Sequence, residues 1–258
     1  MRAPLRYIGG KYYQTKWILK HFPVHQIYVE PFCGSAAVFF AKAPRPVYAK
    51  ATYTEVLNDI DGRIINFFKK LKEDPESLIY EQFLVPYSQQ IFYDSSDYSK
   101  EMQTLILNKM GWGGKLNSKS FTYSKETMGS TRAKTWKQLP NLLFKTANRL
   151  KDAIIFNESY EKIIERFDTE YTLFYVDPPY PEFSYYKFNF KEEDHLKLAE
   201  ILNNVIGKVV MSYNLTEEIK GLYSSWNYKE KEFKKNCNRT KRGIKHEKFK
   251  ETLLWNFG

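Results

Sequence analysis

The chain has 258 residues, enough for one large domain or a domain carrying an insertion, and 43% of them are hydrophobic, enough for a sizeable core. No apolar run reaches membrane-spanning length, no secretory leader pattern opens the chain, and two cysteines outside any CxxC spacing with four scattered histidines argue against zinc or disulfide frameworks; no membrane partner and no metal are expected, and a reducing cytoplasm is the expected compartment. The net charge of +10 is concentrated: residues 229–250 hold ten Lys or Arg against three Glu, and residues 115–137 hold six against one Glu, which fits a polyanion footprint or, alternatively, a solvated lysine-rich face.

The first motif is Arg6-Tyr-Ile-Gly-Gly-Lys11, where the glycine pair permits a tight turn flanked by Tyr7 and Lys11. A glycine turn before a helix over 15–21 explains it equally well. Residues 26–29 read as a first strand, followed by Glu30-Pro-Phe-Cys-Gly-Ser35 and a helix start rich in small residues. Strand, glycine loop and helix form the layout of a nucleotide-binding βα turn, but the pattern lacks a full GxGxxG and so disfavours a dinucleotide. Residues 53–57 read as a second strand ending in Asn58-Asp59. Asp59 stands near the offset at which an acid grips a ribose, or else it caps the amphipathic helix over 60–71.

From residue 69 to 150 the βα alternation breaks down. Prolines, tyrosines and Leu107-Asn-Lys-Met-Gly-Trp-Gly-Gly-Lys115 suggest an inserted module whose Trp112 and Lys115 suit DNA contact; a structural turn with Trp112 in the module core is the alternative. Residues 153–156 resume the strand pattern, followed by Asn157 and a helix through 167. Residues 171–176 are a continuous apolar and aromatic run without helical period, which reads as a buried strand of a covered parallel sheet. It stops at Asp177-Pro-Pro-Tyr180, where the prolines forbid further ladder pairing. A helix over 192–204 presents Leu196, Leu198, Ile201 and Leu202 as its apolar face. A strand over 208–213 and a long hairpin of strands over 228–233 and 251–257 complete the chain.

Asp177-Pro-Pro-Tyr180 is either a plain Asp-Pro turn at a strand end or a set of residues suited to one kind of chemistry. An aromatic amine has its lone pair delocalised into the ring and is a poor nucleophile. A carboxylate and a neighbouring carbonyl that accept its two hydrogens pull the nitrogen toward tetrahedral geometry and return the lone pair to it. Asp177 and the Pro178 carbonyl can be those acceptors, Pro179 stiffens the loop, and Tyr180 offers a face for stacking, a contact worth about 1–3 kcal/mol. A chance match to this tetrapeptide is on the order of one in a thousand for a chain of this length.

Taken in order, Arg6-Tyr-Ile-Gly-Gly-Lys11, Glu30-Pro-Phe-Cys-Gly34, Asn58-Asp59, Leu107-Asn-Lys-Met-Gly111 and Asp177-Pro-Pro-Tyr180 resemble the Dam-type, D12 class of DNA adenine-N6 methyltransferases over nearly the full chain. The resemblance implies an α/β fold. It would be a Rossmann-like S-adenosylmethionine-dependent methyltransferase sheet, mostly parallel with a C-terminal antiparallel hairpin, carrying an inserted, mainly helical target-recognition domain. Residues 1–68 and 151–258 would form the catalytic domain and 69–150 the recognition domain. It further implies that Tyr7, Gly10, Lys11, Glu30, Pro31, Phe32, Cys33, Gly34, Ser35, Asp59, Phe156, Asn157 and Asp177 line the S-adenosylmethionine pocket. Ala36 stands where the family often has a second small residue, a mild departure. Trp112, Lys115, Asn238, Arg239, Lys241 and Arg242 would contact double-stranded DNA, from which adenine must be flipped out. The implied setting is the cytoplasm of a bacterial, archaeal or phage-infected cell; a cognate restriction endonuclease and the oligomeric state stay open. The rivals are methylation of RNA adenine or of a protein amide, and a DNA-binding protein on a decayed methyltransferase fold.

Overall fold

The apolar runs form strands of one sheet. β1 (Ile27–Glu30), β2 (Thr54–Asn58), β3 (Ala153–Phe156), β4 (Thr172–Val176), β5 (Lys208–Tyr213), β6 (Asn227–Lys234) and β7 (Lys248–Trp255) lie in the order β3-β2-β1-β4-β5-β7-β6. The first five are mutually parallel, and β7 runs antiparallel to β5 and β6. The computed structural model describes all residues except Ile8, 45–52, 124–130, 181–189 and 235–247. β4 is buried at every position, as a strand covered on both faces should be. The chain builds one side of the sheet outward from β1, then returns to begin the other side at β4. The order therefore reverses between β1 and β4, and the carboxyl ends of these two strands form the crevice where open α/β sheets bind ligands. The Rossmann-like sheet with a C-terminal antiparallel hairpin is thus present as expected.

Helices cover both faces: α1 (Thr15–Ile18), α2 (Ala37–Ala41), α3 (Gly62–Glu73), α4 (Pro75–Leu84), α5 (Gln89–Tyr93), α6 (Lys100–Met110), α7 (Arg132–Lys137), α8 (Leu139–Leu150), α9 (Tyr160–Phe167), α10 (Glu192–Asn204) and α11 (Glu217–Leu222). Among the described residues no helix is long and apolar enough to cross a membrane. α3 starts at Asp61, whose carboxylate accepts the Arg63 N–H, and buries Ile64, Ile65, Phe67, Phe68 and Leu71 at helical spacing. It ends at Asp74-Pro75, where Asp74 accepts the Ser77 N–H and Pro75 takes the first position of α4. The boundary expected at 68/69 falls inside α3. Strand alternation divides the core: Tyr28 and Leu57 pack with Phe68, Leu105, Trp136 and Leu143 on one face, so helices of the 69–150 stretch share that core continuously with the sheet. Val29, Val56, Phe174 and Val176 pack with Ile163, Leu198 and Leu202 on the other.

Two sequence expectations are corrected. Asp61, not Asp59, caps α3, because the helix begins one residue later than Asp61 while Asp59 turns back toward β1. On α10 the inward face is His195, Leu198, Ala199 and Leu202, and Leu196 is 47% exposed; three consecutive turns place 195, 198–199 and 202 on one stripe, which excludes 196.

Candidate active site

The loop after β1 is tied down from two sides. The Cys33 N–H donates to the Asn58 carbonyl at 2.8 Å, and the Asn58 amide donates to the Pro31 carbonyl at 2.9 Å. Gly34 has φ +47°, a left-handed conformation, and a Cβ there would lie 3.1 Å from the Tyr7 ring. Its N–H donates to Asp59 Oδ2 at 2.8 Å, while Asp59 Oδ1 accepts the Asp61 N–H. Asp59 therefore joins the ends of β1 and β2, and burial, working against those two N–H bonds, pushes its carboxyl up to about 6. Ala36 also has a positive φ, +54°, so left-handed backbone recurs two residues on with a Cβ attached.

Glu30 is buried beneath this loop and accepts the Tyr28 hydroxyl at 2.6 Å. Burial drives its carboxyl up to about 8, although Tyr28 and the Phe39 N–H favour the anion. Phe32 packs on Tyr160 and Phe190, with ring centres 5.0 and 5.5 Å away. From the end of β3, the Asn157 amide donates to the Asp59 carbonyl at 2.7 Å, and Phe156 lies against Phe167. Cys33 and Ser35 are buried. The Gly10 N–H closes a turn on the Tyr7 carbonyl at 3.0 Å, which turns Lys11 inward.

Lys11 is buried and reaches the loop after β4, its ammonium 2.8 Å from Asp177 Oδ1 and 3.7 Å from Glu251 Oε1. The Asp177 side chain stays 22% exposed, so one side of it opens outward. Burial raises the Asp177 carboxyl above its ordinary value against the pull of Lys11 and Tyr180. Burial would lower the Lys11 amine, but Asp177 and Glu251 outweigh it and hold the amine raised. Tyr180 donates its hydroxyl to Glu251 Oε1 at 2.7 Å, and its ring lies 5.5 Å from that of Tyr213. Pro178 is buried and Pro179 half-buried beside them. The structure thus brings Tyr7, Lys11, Glu30, Gly34, Asp59, Asn157 and Asp177 to one end of the sheet.

Trp112 is 64% exposed rather than packed in a module core, with the Lys115 ammonium 5.8 Å from its ring centre. Asn238, Arg239, Lys241 and Arg242 lie outside the described residues. Sequence reasoning missed two residues. Glu251 is an acid inside the buried half of β7, and its signal was a lone carboxylate directly before Thr-Leu-Leu-Trp. Asn108 was quoted only as part of a motif. Its side chain accepts the Arg6 N–H at 2.8 Å and donates to the Arg6 and Gly114 carbonyls at 2.7 and 3.0 Å, binding the N-terminal segment to the Trp112 loop.

Residues 7–237 match the D12 class N6 adenine-specific DNA methyltransferase family. Among curated relatives, the type II methyltransferase M.CviBI of Paramecium bursaria Chlorella virus NC1A is 23% identical over 91% of each chain. A DNA adenine methylase of Vibrio cholerae is 27% identical, covering 78% of this chain and 75% of its own, and the retron Ec67 DNA adenine methylase of Escherichia coli is 25% identical over 88% and 82%. With the family match spanning most of the chain and Asp177-Pro-Pro-Tyr180 set at the switch point of the sheet, this protein belongs to the D12 class of N6 adenine-specific DNA methyltransferases.

Proposed function

We propose that the crevice between β1 and β4 takes S-adenosylmethionine on its β1 side and a flipped-out adenine of double-stranded DNA on its β4 side. The observation that carries this is the placement of the Gly34 loop and of Asp177 at the carboxyl ends of the two strands flanking the sheet's switch point. The residues present suit the cofactor. Gly34 presents backbone without a side chain, and buried Glu30, held protonated by its surroundings, is a site that a cationic ligand would ionise and match. Tyr7, Lys11, Phe32, Asp59, Phe156 and Asn157 would complete that side, with Gly10, Pro31, Cys33 and Ser35 setting its backbone. The cofactor supplies an electrophilic methyl group on a cationic sulfur.

Asp177 accepts one hydrogen of the adenine amine and the Pro178 carbonyl the other. The nitrogen lone pair, released from the ring, is then available to take up the methyl group, and Asp177 would receive the proton that the methylated nitrogen must lose. Tyr180 stacks on the base. Positioning and fixed charge account for most of the rate, since no covalent enzyme intermediate is needed. Flipping costs a few kcal/mol, offset by phosphate contacts from the basic stretches 115–137 and 234–245, with Trp112, Lys115, Asn238, Arg239, Lys241 and Arg242 as the contacting residues. The helical stretch 69–150 would read the site. A cognate restriction endonuclease would explain a protective role, and the enzyme would work in the cytoplasm where the DNA lies.

The test is transfer of labelled methyl from S-adenosylmethionine to unmethylated plasmid, RNA and protein in parallel. Label in DNA as N6-methyladenine at a short recurring site is expected; label in RNA or protein alone would overturn the duplex-adenine reading.

A further inference from the structure

Beneath the catalytic loop, one buried cation is shared by two carboxylates that come from distant parts of the chain. Glu251, 5% exposed on β7, accepts the Tyr180 hydroxyl at 2.7 Å and stands 3.7 Å from the Lys11 ammonium. Lys11 in turn lies 2.8 Å from Asp177 and 4.8 Å above the Tyr180 ring. We propose that Glu251 is a positioning residue for methyl transfer: it holds Lys11 and Tyr180 so that Asp177 remains free to accept a hydrogen from the adenine amine. This rests on the reading of Asp177 as that acceptor.

The physical argument concerns what Lys11 would do without Glu251. An ammonium with Asp177 as its one counter-ion forms a closed pair that occupies the carboxylate and weakens it as an acceptor. A second carboxylate 3.7 Å away, with the Gly9 carbonyl accepting from the ammonium at 3.2 Å, divides the ammonium's attraction and leaves Asp177 the stronger base. Charge arithmetic points the same way. Lys11 contributes one positive charge, Asp177 and Glu251 two negative ones, so the ionised set is net negative beside the nitrogen that becomes cationic as it gains the methyl group. A fixed negative charge at the place where positive charge develops favours the transition state over the ground state. Glu251 also fixes Tyr180 through its hydroxyl, which sets the plane of the ring before a base arrives.

The charged and titratable groups around Glu251 are Lys11 of the N-terminal segment, Asp177 and Tyr180 after β4, Tyr175 of β4, and Lys231, its register partner on β6. Burial raises the Glu251 carboxyl, Lys11 opposes, and Asp177 adds to the rise. The two acids are therefore coupled through one lysine.

Single-turnover methyl transfer by the full-length enzyme, with saturating S-adenosylmethionine and a DNA duplex, would be followed across pH for wild type, Glu251→Gln, Glu251→Ala and Tyr180→Phe. Glu251→Gln keeps an acceptor for Tyr180 and removes only the charge. Its rate is expected to fall about 10- to 100-fold, the usual loss for a supporting residue, with dissociation constants for cofactor and DNA unchanged within about threefold. The acid limb of the rate profile should move to lower pH, because Asp177 then has Lys11 to itself and loses a repelling neighbour. Glu251→Ala should lose more, and Tyr180→Phe, which removes a hydroxyl that favours the Asp177 anion, should move the acid limb the opposite way, to higher pH. A wild-type rate and profile in Glu251→Gln, or a loss confined to melting temperature and binding, would overturn the inference. Wild-type transfer to DNA adenine, established first, tests the function separately. Full activity in Asp177→Asn would overturn the acceptor reading and this inference with it.

Discussion

Asp177 touches the cation that neutralises it and keeps one side open, which makes a sharp mutational test possible. In Asp177→Ala the Lys11 ammonium still has Glu251 within 3.7 Å, so the fold should survive while the proposed acceptor for the amine is gone. Methyl transfer should fall by at least on the order of 10²–10³ with DNA binding largely kept, measured by single-turnover transfer and fluorescence anisotropy. Unchanged turnover would remove Asp177 from the chemistry. Glu30 gives a pH prediction. Its folded value of about 8 lies above the ordinary carboxylate value of about 4.3, so the folded state holds the proton more tightly. Its contribution to stability is complete below about pH 4.3 and is lost as pH rises through about 8. Cofactor-free protein should therefore lose resistance to urea across that window, and Glu30→Gln should flatten the decline. An unchanged slope in the variant would mean that Glu30 ionises normally. Asp177 could be read from sequence because prolines after a buried strand leave few places for an acid to go. Glu251 could not, because strand alternation alone does not tell an inward acid with a buried lysine partner from one at a sheet edge, and that partner is 240 positions away (251 − 11).

At the scale of elements, the strands and long helices followed from apolar period and from Asp and Pro at their ends, and α10 spans 192–204 as its pattern indicated. What the pattern missed were side-chain bridges between loops. Asn108 is 1% exposed and makes three hydrogen bonds across a break of 102 residues to Arg6 and a short step to Gly114. Asn108→Ala leaves those backbone groups without their partner at a cost of about 1–3 kcal/mol, readable as a lower melting temperature together with slower methyl transfer, since Lys11 is carried by the segment that loosens. Normal melting would show that water replaces the side chain. At the glycine loop, Gly34→Ala forces a Cβ into left-handed backbone and to 3.1 Å from the Tyr7 ring. The backbone strain alone is about 1–2 kcal/mol, and Tyr7 must shift as well, so weaker cofactor binding by calorimetry is expected. Retained affinity would place the cofactor away from this loop. Gly34 and Ala36 both carry left-handed backbone, a conformation that spacing alone does not reveal.

Across the whole molecule, the positive charge is concentrated rather than evenly spread. Residues 229–250 carry a surplus of seven positive charges, and of these residues the described strands β6 and β7 lie beside β5 on the side of the sheet away from β3. Replacing Lys241 and Arg242 by Ala should weaken DNA binding uniformly across sequences and reduce the salt slope by about two (0.9 for each phosphate contact), measured as affinity against salt concentration. A loss confined to one sequence would instead make them readers of bases. A mostly parallel sheet closed by an antiparallel hairpin was legible from the motifs and the alternation of strands with helices, but the order of the strands was not. Nor was the arrangement of 69–150, since its helices share a core with the sheet and no boundary shows in composition.

The Asn108 bridge bears on how new specificities could arise or be built. A chimera that imports residues 69–150 from a relative imports one half of a joint whose other half is the backbone of Arg6. Because backbone offers the same groups whatever its side chain, a graft that brings an asparagine at position 108 should keep the joint and the turnover, whereas one that brings another residue there should lose both.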